Sequence, residues 1–203
     1  MKPLNEQQRL FLIDSNQLYE AYEQARFQVL AHKYGMKWKV SKGKDYLFRA
    51  SGADGYGHSL GVRSPETEEI YAAFNAGKNR ADERFSAIKK KINEQARLNR
   101  AVRLGRMPKI VSDILNTLDQ SAARNDFRLV GTHALWAYES MAAVQFAKEL
   151  LASGDVDLLY DPRKKLSLIS KRMDNNGLMG LLRKADKTFE PSMTRALWWT
   201  SLF

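Results

Sequence analysis

Two aspartates, Asp155 and Asp157, stand two residues apart in the run Leu-Ala-Ser-Gly-Asp-Val-Asp-Leu-Leu-Tyr-Asp at 151–161. On a β-strand, residues i and i+2 share a face with Cα atoms roughly 6.6 Å apart, so the two carboxylates converge while Val156 turns the other way. Carboxylates on one face repel unless a proton or a cation lies between them. Mg²⁺ (or Mn²⁺), held by one or two carboxylates together with phosphates, is the expected cation. Just upstream, Phe-Arg-Leu-Val-Gly-Thr-His-Ala-Leu-Trp-Ala-Tyr at 127–138 reads as a strand from Phe127 to Val130 that turns at Gly131-Thr132 into a helix running from His133 to about Phe146. Glycine at such a turn lets the backbone approach a ligand closely. The helix behind it offers unpaired N–H groups and the positive end of its dipole to a phosphate. The candidate chemistry is the handling of a triphosphate and its metal, with Gly131 and Thr132 at the phosphates and Asp155 and Asp157 as metal ligands. His133, Trp136 and Tyr138 are read as packing residues.

The elements that must position this site follow from periodicity and punctuation. Apolar residues recur at helical spacing over 4–33, and Tyr34-Gly35 closes that helix. Two short runs, Met36 to Val40 and Tyr46 to Arg49, form a hairpin, and the glycine-rich stretch 51–58 is read as a loop. Ser64-Pro65-Glu66-Thr67-Glu68 starts a helix, with Ser64 as N-cap and Pro65 in the first turn. A stripe of Tyr71, Phe74, Ala81, Phe85, Ile88 and Ile92 carries that helix to about Leu98. Gly105 to Pro108 breaks the chain before another helix, which runs to about Ala123. After the aspartates come Arg163-Lys164-Lys165, a strand-like run Leu166 to Ile169, a turn at 175–177 and a short helix from Leu178 to Ala185. The expected fold is α+β. Residues 1–105 form a helical N-terminal region with a small β-hairpin and a long basic helical arm, and 106–203 form a core of a short mixed sheet packed on helices.

Composition narrows the classes. The 203 residues carry a net charge of +10 and no cysteine, so neither a disulfide framework nor a thiolate metal site is available. No stretch reaches the length of an uncharged membrane span, and the N-terminus has no apolar leader core, so a cytoplasmic protein is expected. Residues 78–110 hold eleven Lys and Arg against three acids. Lys89, Lys90, Lys91, Arg97, Arg100, Arg103 and Arg106 are therefore candidates for contact with nucleic acid or another polyanion. The apolar seam of 66–98 is a candidate surface for a homo-oligomer.

Val130-Gly131-Thr132 with Asp155-Val156-Asp157 resembles the hydrophobic-Gly-Ser/Thr and Asp-x-Asp signatures of the nucleotidyltransferase superfamily typified by DNA polymerase beta. The wider runs Gly-Thr-His-Ala-Leu-Trp-Ala-Tyr-Glu and Ala-Ser-Gly-Asp-Val-Asp-Leu-Leu-Tyr-Asp are similar to a bacterial nucleotidyltransferase-fold family. Residues 59–68 and 94–101 share that likeness. The resemblance implies a nucleotidyltransferase-like core, metal-dependent transfer of a nucleoside monophosphate from an NTP, and a nucleic acid or protein acceptor. It also implies a third carboxylate on a later strand. Asp186 and Glu190 are the stand-ins this chain offers, and its final residues read as a truncated or altered C-terminus. The alternative is a catalytically impaired protein that keeps the fold and binds nucleic acid, of a toxin–antitoxin or defence type.

Overall fold

Polar start signals set where the long helices begin. In the computed structural model, which describes residues 1–52, 54–121, 123–160 and 177–190, α1 spans Glu6–Ala31 and is opened by a capping box between Asn5 and Gln8. Helix α2 spans Pro65–Ala101, with Ser64 as N-cap bonded reciprocally to Thr67. Both boxes satisfy amide groups that the first helical turn leaves without partners. The protein is mixed α+β and divides into two compact units, Asn5–Gly105 and Met1–Leu4 with the chain from Arg106 on.

In the first unit α1 and α2 run antiparallel. Tyr22 and Phe85 meet at 5.3 Å between ring centroids, and Asn99 Nδ2 donates to Ser15 Oγ at 2.8 Å. Ala25 and Ala81 are buried; their small side chains let the helices approach. The stripe of α2 read as a seam thus packs in part within the same unit, Phe85 against Tyr22 of α1 and Tyr71 against Trp38. Between the helices in sequence comes an antiparallel sheet of β2 (Met36–Ser41), β3 (Lys44–Ala50) and β4 (Gly57–Val62), with β3 in the centre.

Strand β4 corrects the reading of 51–58 as loop throughout, since Gly57 and His58 pair with Ala50 and Arg49. Its sequence, Gly-His-Ser-Leu-Gly-Val, has little intrinsic strand preference; the ladder to β3 supplies what propensity does not. Gly57 is required at that position, because a Cβ there would lie 2.8 Å from the Phe48 ring and 2.9 Å from Ala50 Cα.

The second unit is built from short elements: α3 (Lys109–Asp119), β5 (Phe127–Val130), α4 (Gly131–Ala142), β6 (Val144–Gln145), a 3-10 turn (Lys148–Leu150), β7 (Asp157–Tyr160) and α5 (Gly177–Ala185). Strands β5 and β7 pair antiparallel, Phe127 opposite Tyr160 and Val130 opposite Asp157. Their inner face, with Phe127, Leu158 and Tyr160, packs on Ile114, Leu118 and Leu181 from α3 and α5. Helix α4 ends four residues earlier than periodicity suggests. Ala143 takes a left-handed conformation (φ +51°), and the chain leaves to form β6, which pairs with β1 (Lys2–Pro3). Residues 1–4 therefore join this unit, with Leu4 buried. Among the described residues no helix is long and apolar enough to cross a membrane.

Candidate active site

Strand β5 delivers the chain to the site and Gly131 turns it. Gly131 has φ +64°, a conformation that costs an L-residue roughly 1–2 kcal/mol, and it opens α4 directly after Val130. The N-cap, Val130, has no side chain able to bond the first amides of the helix, so the opening of α4 keeps its donors for another acceptor. Thr132, half-buried, sits in this first turn.

Asp157 comes to the same place from β7. It is paired across the ladder with Val130, and its carboxylate occupies the space that a side chain on Gly131 would need. A Cβ built there would overlap Oδ2 and lie 3.1 Å from Cγ. The two signatures separated by some twenty-five residues are thus joined by one strand pair.

Asp155 is differently held. It precedes β7 and is exposed, within a turn where Ser153 Oγ accepts from the Asp155 amide at 3.3 Å. Exposure nevertheless alternates through the turn into the strand: Asp155 and Asp157 are open to solvent while Val156 between them packs against the core. Strand alternation thus persists into residues without ladder bonds.

The outer face of β5–β7 also carries Arg128, which sequence reasoning passed over. It is exposed, lies opposite Leu159, and so is the diagonal cross-strand neighbour of Asp157. The available signal was the period of two: Arg128 shares its face with Val130, whose partner is Asp157.

The far end of α4 is fixed by charge. Glu139 is buried and pairs with Arg106; its carboxylate also accepts from the Phe146 amide, while Arg106 donates to the Phe146 carbonyl at 3.2 Å. The Arg106 guanidinium lies 5.2 Å from the Trp136 ring centre. Arg106, one of the candidate polyanion contacts, is held in this partly buried pairing and anchors α4. His133 is buried as expected for a packing residue, whereas Tyr138 is 55% exposed. Lys89, Lys90, Lys91, Arg97, Arg100 and Arg103 are exposed on α2 and just beyond it, in the other compact unit.

For the third carboxylate, Asp186 accepts from the Thr188 amide at 2.9 Å and from its hydroxyl at 2.8 Å. Those bonds, with Lys109 nearby, hold its carboxyl below the usual range. Asp186 thus caps the turn after α5, and Glu190 is exposed beyond it. Among the described residues no group of three His, Cys, Asp or Glu is arranged to hold a metal. The basic run at 163–165, the strand-like run Leu166 to Ile169 and the final stretch of the chain lie outside the described residues.

Residues 109–197 match a family model described as Nucleotidyltransferase. No curated protein and no solved structure matches the chain.

Proposed function

From the match of residues 109–197 to a nucleotidyltransferase family model, we propose that this unit transfers a nucleoside monophosphate from an NTP to an acceptor in a metal-dependent reaction. The observation that carries the reading is the Asp157 carboxylate set against Gly131 at the uncapped opening of α4. In the transfer an acceptor oxygen forms a bond to the α-phosphorus, the bond from that phosphorus to the bridging oxygen breaks, pyrophosphate leaves, and the acceptor proton passes to solvent.

The residues fit a divalent ion of the magnesium type. Two exposed carboxylates, with remaining positions filled by water and phosphate oxygens, are the usual protein share of such a site, and Mn²⁺ accepts the same donors. When bound, the ion neutralises phosphate charge. Asp155 and Asp157 would hold it. The amides of Gly131 and Thr132 and the Thr132 hydroxyl would bind phosphate oxygens, aided by the helix dipole. Arg128 would offset charge on the same face. Most of the rate in such a transfer comes from positioning.

The test is label transfer from radiolabelled NTPs with Mg²⁺, alone and with RNA or cell extract. Asp157→Asn is expected to lower transfer at least as far as the roughly 10–100-fold that outer-shell partners of a metal cost. Equal labelling by wild type and Asp157→Asn would sink the reading.

A second reading, nucleic-acid binding without transfer, draws on the exposed cations of α2. Retention of RNA or DNA that survives Asp155→Asn and Asp157→Asn but is lost when Lys89, Lys90 and Lys91 become Glu would support it. No retention at low salt would end it.

A further inference from the structure

The three-stranded sheet of the N-terminal unit has two unlike faces. One is packed on α2: Trp38 lies 5.8 Å from Tyr71, and the Arg49 guanidinium 4.1 Å from the Phe74 ring. By strand alternation and register, the other face carries Lys37 and Lys39 of β2 opposite Phe48 and Tyr46 of β3, with Lys44 two residues before Tyr46. The lysines are exposed and the two rings are half-buried in the surface of the central strand. Gly57 and Ser59 of β4 flank Phe48 on this face and do not cover it. Lys39 Nζ sits 3.3 Å from the centre of the Phe48 ring, so one π-face of that ring is reachable from outside.

Charge on this face has one sign. Between Lys33 and Val62 the chain holds five lysines and Arg49 against two aspartates, and neither aspartate answers the lysines. Asp45 points to the opposite face and pairs with Arg63 at 3.2 Å. Asp54 lies in the β3–β4 loop, accepting from the Tyr56 amide at 3.2 Å. At the end of the sheet a shallow cleft of about 510 Å³, with Lys33, Tyr34, Gly35 and Gly52 among its walls, shares Lys37 with the face. A basic surface therefore runs from the cleft along β2 and β3 with aromatic rings down its middle.

We propose that this sheet face binds single-stranded nucleic acid, its lysines along the phosphates and Tyr46 and Phe48 under two bases. The rings are two residues apart on β3, roughly 6.8 Å along the strand, a spacing that takes splayed bases. Aromatic rings stack bases of any sequence while a cationic groove follows the backbone, and an antiparallel sheet with central aromatics and basic edges supplies both. Lys39, now over Phe48, leaves the ring to a base and takes a phosphate. The inference is independent of nucleotidyl transfer and of the α2 cations, and it asks for neither NTP nor metal.

The test is fluorescence anisotropy of the full chain with labelled 12-mers of single-stranded RNA and DNA, against duplex DNA and inorganic polyphosphate, over a series of salt concentrations. Single strands are expected to bind more tightly than duplex or polyphosphate. Phe48→Leu, which keeps the apolar bulk and loses the π-face, should weaken binding roughly tenfold. The set Lys37→Gln, Lys39→Gln and Lys44→Gln, all on the surface and unable to unfold the sheet, should reduce the slope of log affinity against log salt by about 2, as loss of three single-strand phosphate contacts requires. Tighter binding by RNA than DNA, or the reverse, names the natural strand and supports the face equally. Polyphosphate or duplex binding as well as single strands, an unchanged slope in the triple variant, or loss of binding only when Lys89, Lys90 and Lys91 become Gln would each overturn it. Failure of label transfer at Asp157 leaves these readouts untouched, so the two proposals fail separately.

Discussion

The two compact units hold their key groups by opposite means. In Asn5–Gly105 long helices meet over small residues such as Ala25 and Ala81, and the groups offered to partners stand on surfaces that the packing does not need. In the C-terminal unit no described helix exceeds 12 residues, and the candidate site exists only because a four-residue strand pair brings Asp157 to Gly131. A helix of 37 residues presents its side chains wherever it packs, since its own hydrogen bonds fix their spacing. A site joined across a short ladder is lost with the ladder. Changes to the exposed groups of the first unit should therefore alter binding with little effect on stability, and changes at the site of the second should alter stability and transfer together.

The largest effect is expected at Glu139. Glu139→Ala leaves the Arg106 charge partly buried without its partner, and breaking a buried pair this way costs roughly 3–5 kcal/mol. Urea unfolding should show that loss, and nucleotidyl transfer should fall with it as α4 loses its anchor. A change below about 1 kcal/mol would mean that the pairing does not fix the helix and would erase the contrast between the units.

Next is Gly131→Ala. The left-handed backbone costs roughly 1–2 kcal/mol, and the new methyl displaces the Asp157 carboxylate. Transfer should drop more than stability does. Equal stability and transfer to wild type would separate Asp157 from the site.

Ser64→Ala sharpens the comparison from the other side. Loss of the α2 N-cap should cost about 1 kcal/mol in unfolding, with transfer unchanged. A drop in transfer would show that the long helix does more than present a surface.

The smallest effect is at Asp186, whose carboxyl is held below its ordinary value first by the Thr188 amide and then by its hydroxyl. A carboxylate with a depressed folded-state value adds stability above its unfolded value, and that stability disappears as pH falls through the folded value. Acid unfolding below about pH 4 should therefore be slightly less steep in Asp186→Asn than in wild type.

Particular residues show how far the chain could be read in one dimension. Ser64 as a cap, the β5 strand from Phe127 to Val130 and the turn at Gly131 follow from local signals, because capping, alternation and a glycine turn are settled within a few residues. The third strand of the N-terminal sheet was not legible in Gly57 to Val62, whose small residues lack strand preference and depend on β3. The end of α4 is not legible because the pairing of β6 with Lys2–Pro3 and the pairing of Glu139 with Arg106 join residues distant in sequence.

By itself, then, the order of residues determined the helices, their starts, the alternation that sets Val156 inward and both aspartates outward, and the excess of positive charge. Each is decided by neighbours along the chain. Only tertiary structure decided that Asp157 lies on Gly131, that Arg106 serves Glu139, that Arg128 shares the face of the carboxylate, and that the lysines of β2 surround the rings of β3. Those are meetings between segments, fixed by strand register and by burial, and a one-residue slip in either ladder would turn the same side chains to the opposite face.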